Sequence, residues 1–180
     1  MYPEARYSNC GTTSYIPEVV AKLVKKNKVP LVTMIHNGNY LNAPFWDFRQ
    51  YRKVPFHATM KQVLTAQQVS EMTIEEINEV IQREMYYDDY KWQKENNIRI
   101  TESFRADGLN KVLYKCPHCL AEGRTVGKGT LLSCEACGKQ WEMTELGEMR
   151  ALNGETEFSH IPDWYEWERE CVRQEILDGT

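Results

Sequence analysis

The sequence predicts an α/β fold with three parts: a main body over residues 1–108, a small cysteine-bearing β module over residues 109–145, and a C-terminal helical segment over residues 146–180. Three observations predict it. An apolar helical pattern runs directly into a β-branched stretch near residue 30, which is the signature of helix packed on strand. The texture changes near Gly108 to short strands and glycines and stays so to about Thr144. An aromatic amphipathic stretch then closes the chain. A chain of 180 residues can bury one core with a small module attached.

Taken in order, residues 8–14 are turn-rich and deliver the chain to Pro17, a suitable first helical residue, with Val19, Val20, Leu23 and Val24 following and Lys28 at the end. Residues 29–35 are apolar and β-branched and are bounded by Lys28 and by Asn37, Gly38 and Asn39, so a buried strand is expected there. Val54, Phe56, Ala58 and Met60 alternate, predicting a strand over residues 52–60 that Pro55 demotes to an edge. Thr73 and Glu76 have the spacing of a capping box ahead of Ile74, Ile77, Val80 and Ile81, so a helix is expected from Ile74 to the region of Tyr86. Residues 88–96 continue helically, and Tyr86, Tyr87, Tyr90 and Trp92 read as half-buried packing before they read as a platform for stacked bases. Residues 161–177, with Trp164, Trp167 and Val172, form the last helix.

Four of the six cysteines stand in two CxxC knuckles, Cys116-Pro117-His118-Cys119 and Cys134-Glu135-Ala136-Cys137, with fourteen residues between them. Each knuckle offers two thiolates from a tight turn, and two knuckles complete a tetrahedron around zinc. Residues 125–133, with Gly127 and Gly129, read as a hairpin and residues 140–143 as a third strand, which is the architecture of a zinc ribbon. Four thiolates leave no position for water, so the zinc is expected to be structural and to supply folding free energy. The competing reading is a redox or disulfide pair in each CxxC. His118 reads as a solvent-facing residue within its knuckle, and Cys10 and Cys171 as ordinary thiols.

Composition excludes several classes. With 42% hydrophobic and 27% charged residues the chain reads as an ordinary globular protein. A net charge of −4 without a concentrated Lys/Arg block argues against a nucleic-acid partner, whose affinity comes mostly from clustered positive charge. The strongest basic run is Lys22, Lys25, Lys26 and Lys28, read either as a solvated helix end or as an attraction to anionic lipid headgroups. No apolar stretch approaches the ~20 residues a membrane-spanning helix needs, and the N-terminus does not have the pattern of a signal peptide. With paired knuckles in place of a disulfide framework, the expected address is the cytoplasm. Trp164-Tyr165-Glu166-Trp167 either closes the core or enters a membrane interface, with the flanking acids favouring the core.

Tyr2-Pro3-Glu4-Ala5-Arg6-Tyr7-Ser8, then a turn, a helix and the strand Val29-Pro30-Leu31-Val32-Thr33-Met34, resembles the second half of the glycerolipid (1-acylglycerol-3-phosphate) acyltransferase domain. That family has a Phe-Pro-Glu-Gly-Thr-Arg-Ser block that helps bind the acceptor phosphate. The segments Asn39-Tyr40-Leu41-Asn42-Ala43-Pro44-Phe45-Trp46 and residues 105–114 look like a bacterial branch carrying a zinc ribbon near its C-terminus, so the resemblance spans nearly the whole chain.

The resemblance implies a partial acyltransferase domain that takes an acyl group from an acyl-CoA or acyl carrier protein thioester to a lysophospholipid or related glycerolipid. It also implies a peripheral place on the inner face of the membrane. Glu4 and Arg6 would be substrate-binding, Arg6 as charge-assisted donor to the phosphate and Glu4 holding the loop or a hydroxyl. Two departures stand out: the arginine lies one position earlier than in the family, and the catalytic His-x-x-x-x-Asp is absent, since none of His36, His57, His118 and His160 has an aspartate five positions later. The chain is therefore expected to be the acceptor-side part of a longer acyltransferase. The alternative is a zinc-ribbon binding or regulatory module without catalysis, and a third reading makes the ribbon an internal stabiliser of the acyltransferase body.

Overall fold

In the computed structural model, which describes residues 1–179, the N-terminal half is organised by helix caps. Helix α1 (Val19–Asn27) is followed by strand β1 (Leu31–Asn37), a single helical turn α2 (Asn39–Asn42) and strand β2 (His57–Leu64). Helices α3 (Ala66–Glu71) and α4 (Ile74–Glu84) come next. Thr73 and Glu76 close the expected capping box on α4, and Thr65 and Gln68 close a second one on α3. In each, a hydroxyl and a longer side chain satisfy backbone donors that the first turn leaves without partners. Helix α5 (Asp89–Glu95) starts on the side chain of Asp88, which accepts from the Lys91 N–H.

The α1 helix buries Ala21 with Val20 and Val24 beside it, while Val19 and Leu23 stay exposed. Its lysines are less free than a solvated end would be. Lys25 Nζ donates to the carbonyls of Val69, Ser70 and Met72, closing the C-terminus of α3, and Lys22 pairs with Glu18 at 2.9 Å. A cation at those carbonyls satisfies acceptors and complements the helix dipole.

The strand expected over residues 29–35 needs correction. It begins at Leu31, just after Pro30, which has no N–H to give a ladder, and it is not buried: Val32 and Met34 are about half exposed. The strand pairs antiparallel with β2 alone, Met34 opposite Met60 and His36 opposite Ala58. A two-stranded sheet has two edges and no neighbour to cover its second face, whereas an apolar β-branched run reads alike whether one face is covered or both. The alternation over residues 52–60 is likewise shifted. Val54 is buried before the strand starts, and Phe56 and Met60 are exposed.

After a 3-10 turn (Leu109–Lys111) the second sheet is a meander of β3 (Thr125–Lys128), β4 (Leu131–Cys134), β5 (Gln140–Met143) and β6 (Met149–Ala151). The hairpin and third strand stand where expected; β6 is an addition. Helix α6 (Ile161–Asp178) then packs Trp164 fully into the core. The architecture is thus mixed helix and strand, with two small antiparallel sheets and a closing helix.

Two apolar clusters hold the chain. The smaller joins Ile16 and Ala21 to Leu64, Val69, Ile77, Val80 and Ile81. The larger unites Cys10, Leu41, Trp46, Val54 and Tyr90 with Leu132, Trp141 and Met143 of the second sheet and with Trp164. It runs across the change of texture near Gly108. The approach there is close: a Cβ on Gly127 would lie 2.4 Å from the Ala106 carbonyl oxygen, so only glycine lets β3 lie against the turn below it.

His160, the residue before α6, links that helix to α5. Its Nδ1 lies 3.1 Å from Asp163 Oδ1, and its Nε2 lies 3.1 Å from Asp88 Oδ2, an ion-pair contact outside hydrogen-bond angles. The Asp88 carboxylate, then Asp163, hold the imidazole pKa above its usual value against the opposing effect of burial. A raised imidazole pKa gives stability that is complete below the unfolded value of about 6.5 and is lost as pH rises through the folded value. The wild type should therefore melt higher at about pH 6 than at about pH 8, and His160→Gln should reduce that difference by on the order of 2–4 °C. Equal slopes in the two proteins would refute the linkage.

Candidate metal centre

The four Sγ atoms of Cys116, Cys119, Cys134 and Cys137 lie within 4.8 Å of one another. The Cys116–Cys137 and Cys119–Cys134 separations are 3.8 Å and 3.7 Å. A tetrahedron with metal–sulfur bonds of about 2.3 Å has edges of about 3.8 Å, whereas a disulfide would bring two sulfurs to about 2.05 Å. The group has the dimensions of a tetrahedral metal site, and its thiols are unbridged.

The backbone explains why the sulfurs converge. The two knuckles repeat one hydrogen-bond pattern: Leu120 N–H returns to the Cys116 carbonyl at 2.9 Å, and Gly138 N–H returns to the Cys134 carbonyl at 2.8 Å. One residue further along, Cys116 N–H donates to Ala121 O and Cys134 N–H to Lys139 O, at 2.9 and 2.8 Å. Each knuckle ends in the left-handed region, at Leu120 with φ 64° and at Gly138 with φ 76°. Glycine suits that conformation; Leu120 holds it against a steric cost, which is the mark of a turn over-determined by its surroundings.

Burial raises the Cys116 thiol pKa, with the His118 and Cys119 amides opposing it. The Cys119 thiol is lowered, chiefly by the Ala121 amide. Amides aimed at sulfur favour the thiolate that binds metal. Cys116 and Cys134 are buried while Cys119 and Cys137 face solvent, so the group sits at the edge of the fold with its inner half anchored.

A loop from beyond the ribbon braces the second knuckle. Glu157 takes Lys139 Nζ at 2.5 Å and the Trp141 indole N–H at 3.0 Å. Lys139 precedes β5 and Trp141 lies in it, but nothing in their spacing announces a carboxylate 18 and 16 residues on. His118 is exposed, with Nδ1 3.5 Å from Glu157 Oε1, as expected of a residue that faces solvent. Cys10 lies in the larger apolar cluster, and Cys171 is on α6, both apart from the metal group.

The candidate substrate residues lie elsewhere. Glu4 and Arg6 occupy an N-terminal turn closed by Ala5 N–H to the Tyr2 carbonyl at 3.2 Å. Glu4 Oε2 accepts from the Ser14 N–H at 2.6 Å, and Ala5 between the two takes φ 52°. The Arg6 side chain is exposed and makes no hydrogen bond or ion pair among the described residues. Neither residue touches the cysteine group.

No family model, curated protein or solved structure matches the chain.

Metal removal tests the site directly. A chelator should release one equivalent of metal per chain and red-shift the fluorescence of Trp141 and Trp164, which stand 5.0 Å apart edge to face. Cys134→Ser should lower the melting temperature by at least about 5 °C, the equivalent of some 2 kcal/mol in a chain of this size. Unchanged melting in both experiments would remove the metal from the structure's stability.

Proposed function

We propose that the chain is the acceptor-side part of a glycerolipid acyltransferase, its four-cysteine group filled by structural zinc. The observation that carries the reading is the backbone at Ala5. The family places glycine after the glutamate of its phosphate-binding block, and here that position takes φ 52°, the left-handed conformation that glycine adopts freely and alanine rarely. The same conformation between Glu4 and Arg6 leaves the glutamate turned inward onto Ser14 N–H and the arginine turned out.

A part-buried loop anchor beside an outward guanidinium suits phosphate capture. The planar fork meets two phosphate oxygens with charge-assisted hydrogen bonds, and a pre-formed turn removes part of the entropy of ordering it. Left-handed strain at a non-glycine residue is concentrated at functional turns, where the surroundings hold it in place.

Acyl transfer also needs a general base for the acceptor hydroxyl. None of the four histidines has the family's aspartate spacing, so the His-x-x-x-x-Asp pair belongs to a segment outside these residues. In the proposed assembly this chain binds and orients the acceptor, and the thioester donor is activated elsewhere. The working place is the inner face of the membrane, where a lysolipid acceptor resides. Zinc is chosen over other ions because four thiolates in a tetrahedron suit a soft d¹⁰ ion, and a closed shell assigns it to folding.

The zinc-ribbon module reading gains less. The hairpin's Arg124 is paired with Glu135 at 3.5 Å, so the ribbon presents no cluster of free cations to nucleic acid.

Binding of a water-soluble short-chain lysophosphatidate, followed by calorimetry and by the amide resonances of residues 4–14, tests the proposal. Arg6→Gln should weaken binding by about tenfold or more, the loss of a hydrogen bond to a charged group. Phosphate-independent binding, or equal affinity in the variant, would sink it.

A further inference from the structure

The charge of this chain is divided unevenly. Residues 19–70 contain eight lysines and arginines and one acid, Asp47, although the whole chain carries 26 acids against 22 cations. That one acid is turned inward: Asp47 is buried and bound to buried Arg52 at 3.1 Å. The outward charge of the region is positive throughout.

Large apolar side chains crowd the same region. Within residues 45–56 the inward positions are Trp46, Asp47, Arg52 and Val54, all buried. The outward ones are Phe45, Phe48, Arg49, Tyr51, Lys53 and Phe56, with Phe48, Tyr51 and Phe56 each about two-thirds exposed. The Arg49 guanidinium and the Lys53 ammonium make no ion pair among the described residues.

This segment is held firmly from beneath. Arg52 N–H donates to Asn42 O at 2.8 Å, and Asn42 Nδ2 donates to Arg52 O at 2.6 Å, closing the loop at its neck. Arg52 also lies over the Phe104 ring at 5.5 Å. Two acids of the following segment are engaged in supporting it: Glu102 accepts from the Lys53 N–H at 2.8 Å, and Asp107 accepts from the Gly129 N–H and Gln50. The exposed rings are therefore a feature of an anchored loop, kept in water at a cost relative to burial.

The other two candidates for a lipid contact are weaker. Of the run Lys22, Lys25, Lys26 and Lys28, only Lys26 and Lys28 are exposed without a partner among the described residues, and no exposed ring of the second candidate is left at Trp164. Lys22 and Lys25 are engaged by Glu18 and by the end of α3, and Trp164 is fully buried.

We propose that the outer side of residues 45–56 is a docking surface for an anionic lipid bilayer. Phenyl and phenol rings enter the headgroup region, where an amphipathic ring finds both apolar and polar neighbours, and Arg49 and Lys53 meet the lipid phosphates. Each such cation is attracted to an anionic surface, and the attraction falls off within a Debye length. A protein partner would bring its own acids to meet Arg49 and Lys53; the mixture of rings and cations without any outward acid favours a surface that is itself apolar and anionic. The inference deepens the reading that the chain works on a membrane-borne acceptor, but the surface is independent of Glu4 and Arg6.

The test is co-sedimentation of the purified chain with vesicles of phosphatidylcholine alone and of phosphatidylcholine mixed with phosphatidylglycerol. The chain should sediment with the mixed vesicles only, and less as salt rises. Arg49→Gln combined with Lys53→Gln should weaken this by about tenfold or more, and Phe48→Ser combined with Tyr51→Ser by a similar factor. Melting temperature guards against misfolding, because all four positions are exposed. Failure to sediment, or sedimentation unaffected by either double variant, overturns the proposal. Concentration-dependent dimers abolished by Phe48→Ser would overturn it in favour of self-association, and a salt-sensitive gel shift without vesicle binding in favour of nucleic acid. Soluble lysophosphatidate binding, measured without vesicles, should be the same in all these variants, so the acceptor reading and the lipid surface stand or fall separately.

Discussion

Lys115 is the residue on which the cysteine-bearing sheet and the closing helix are joined. It immediately precedes the first cysteine of the metal group, and every polar group it carries is held. Its N–H donates to Glu168 Oε1 at 2.8 Å, its carbonyl accepts from the Trp164 indole at 3.0 Å, and its ammonium lies 3.0 and 2.9 Å from Glu122 and Glu175. Glu168 and Trp164 are fully buried. The helix that closes the fold is thus bolted to the residue beside a metal ligand. The arrangement carries a strain of its own: burial pushes the Glu168 carboxyl up to about 8, and its second oxygen has no partner. A carboxyl that remains protonated through neutral pH can occupy an apolar site that a charged one could not.

From that join the second half follows. Four short strands cannot bury both faces of a sheet, so the second sheet borrows its core from α6 and from the turn at residues 106–113. Trp141 meets Trp164, and Gly127 admits the backbone of Ala106. A metal bound at the four thiols would tie the open ends of the two knuckles, where no apolar residue could do so. The ribbon is best understood as the folded centre of this half of the chain rather than as an appendage.

The sequence disclosed those features whose cause is local. The capping box of α4, the CxxC spacing, the hairpin glycines and the amphipathic period of α6 are all written within a few residues, and each stands where expected. What it did not disclose depends on partners distant in the chain. The strand at Leu31–Asn37 reads as buried because valine and isoleucine runs look the same in a covered sheet and in a bare two-stranded one. The Glu157 brace, the Lys25 cap on α3 and the His160 link to Asp88 join residues that no periodicity relates. At the candidate acceptor site the residue types were legible, but the left-handed turn at Ala5 was not, since alanine gives no sign of it.

The two candidate sites are mechanically separate, which bears on what each can do. The Glu4–Arg6 turn is secured to Ser14, and the segment that follows is laced to the junction of α4 and α5. There Thr13 donates to Met85 O at 2.8 Å and receives the Tyr87 N–H at 2.7 Å, and Gly11 O accepts from Asp89 N–H at 2.9 Å. None of these supports passes through a knuckle. The α5 helix does reach the ribbon side, since Gln93 donates to Glu145 O at 2.9 Å and Lys94 pairs with Glu148. The metal group therefore acts on the N-terminal turn only through the stability of the larger core, and not through any direct contact. Loss of metal should remove the platform under α5 before it alters the turn's own geometry. For that reason the proposed structural ion and the proposed acceptor-binding turn are compatible in one chain, since an ion at the cysteine group would touch neither Glu4 nor Arg6.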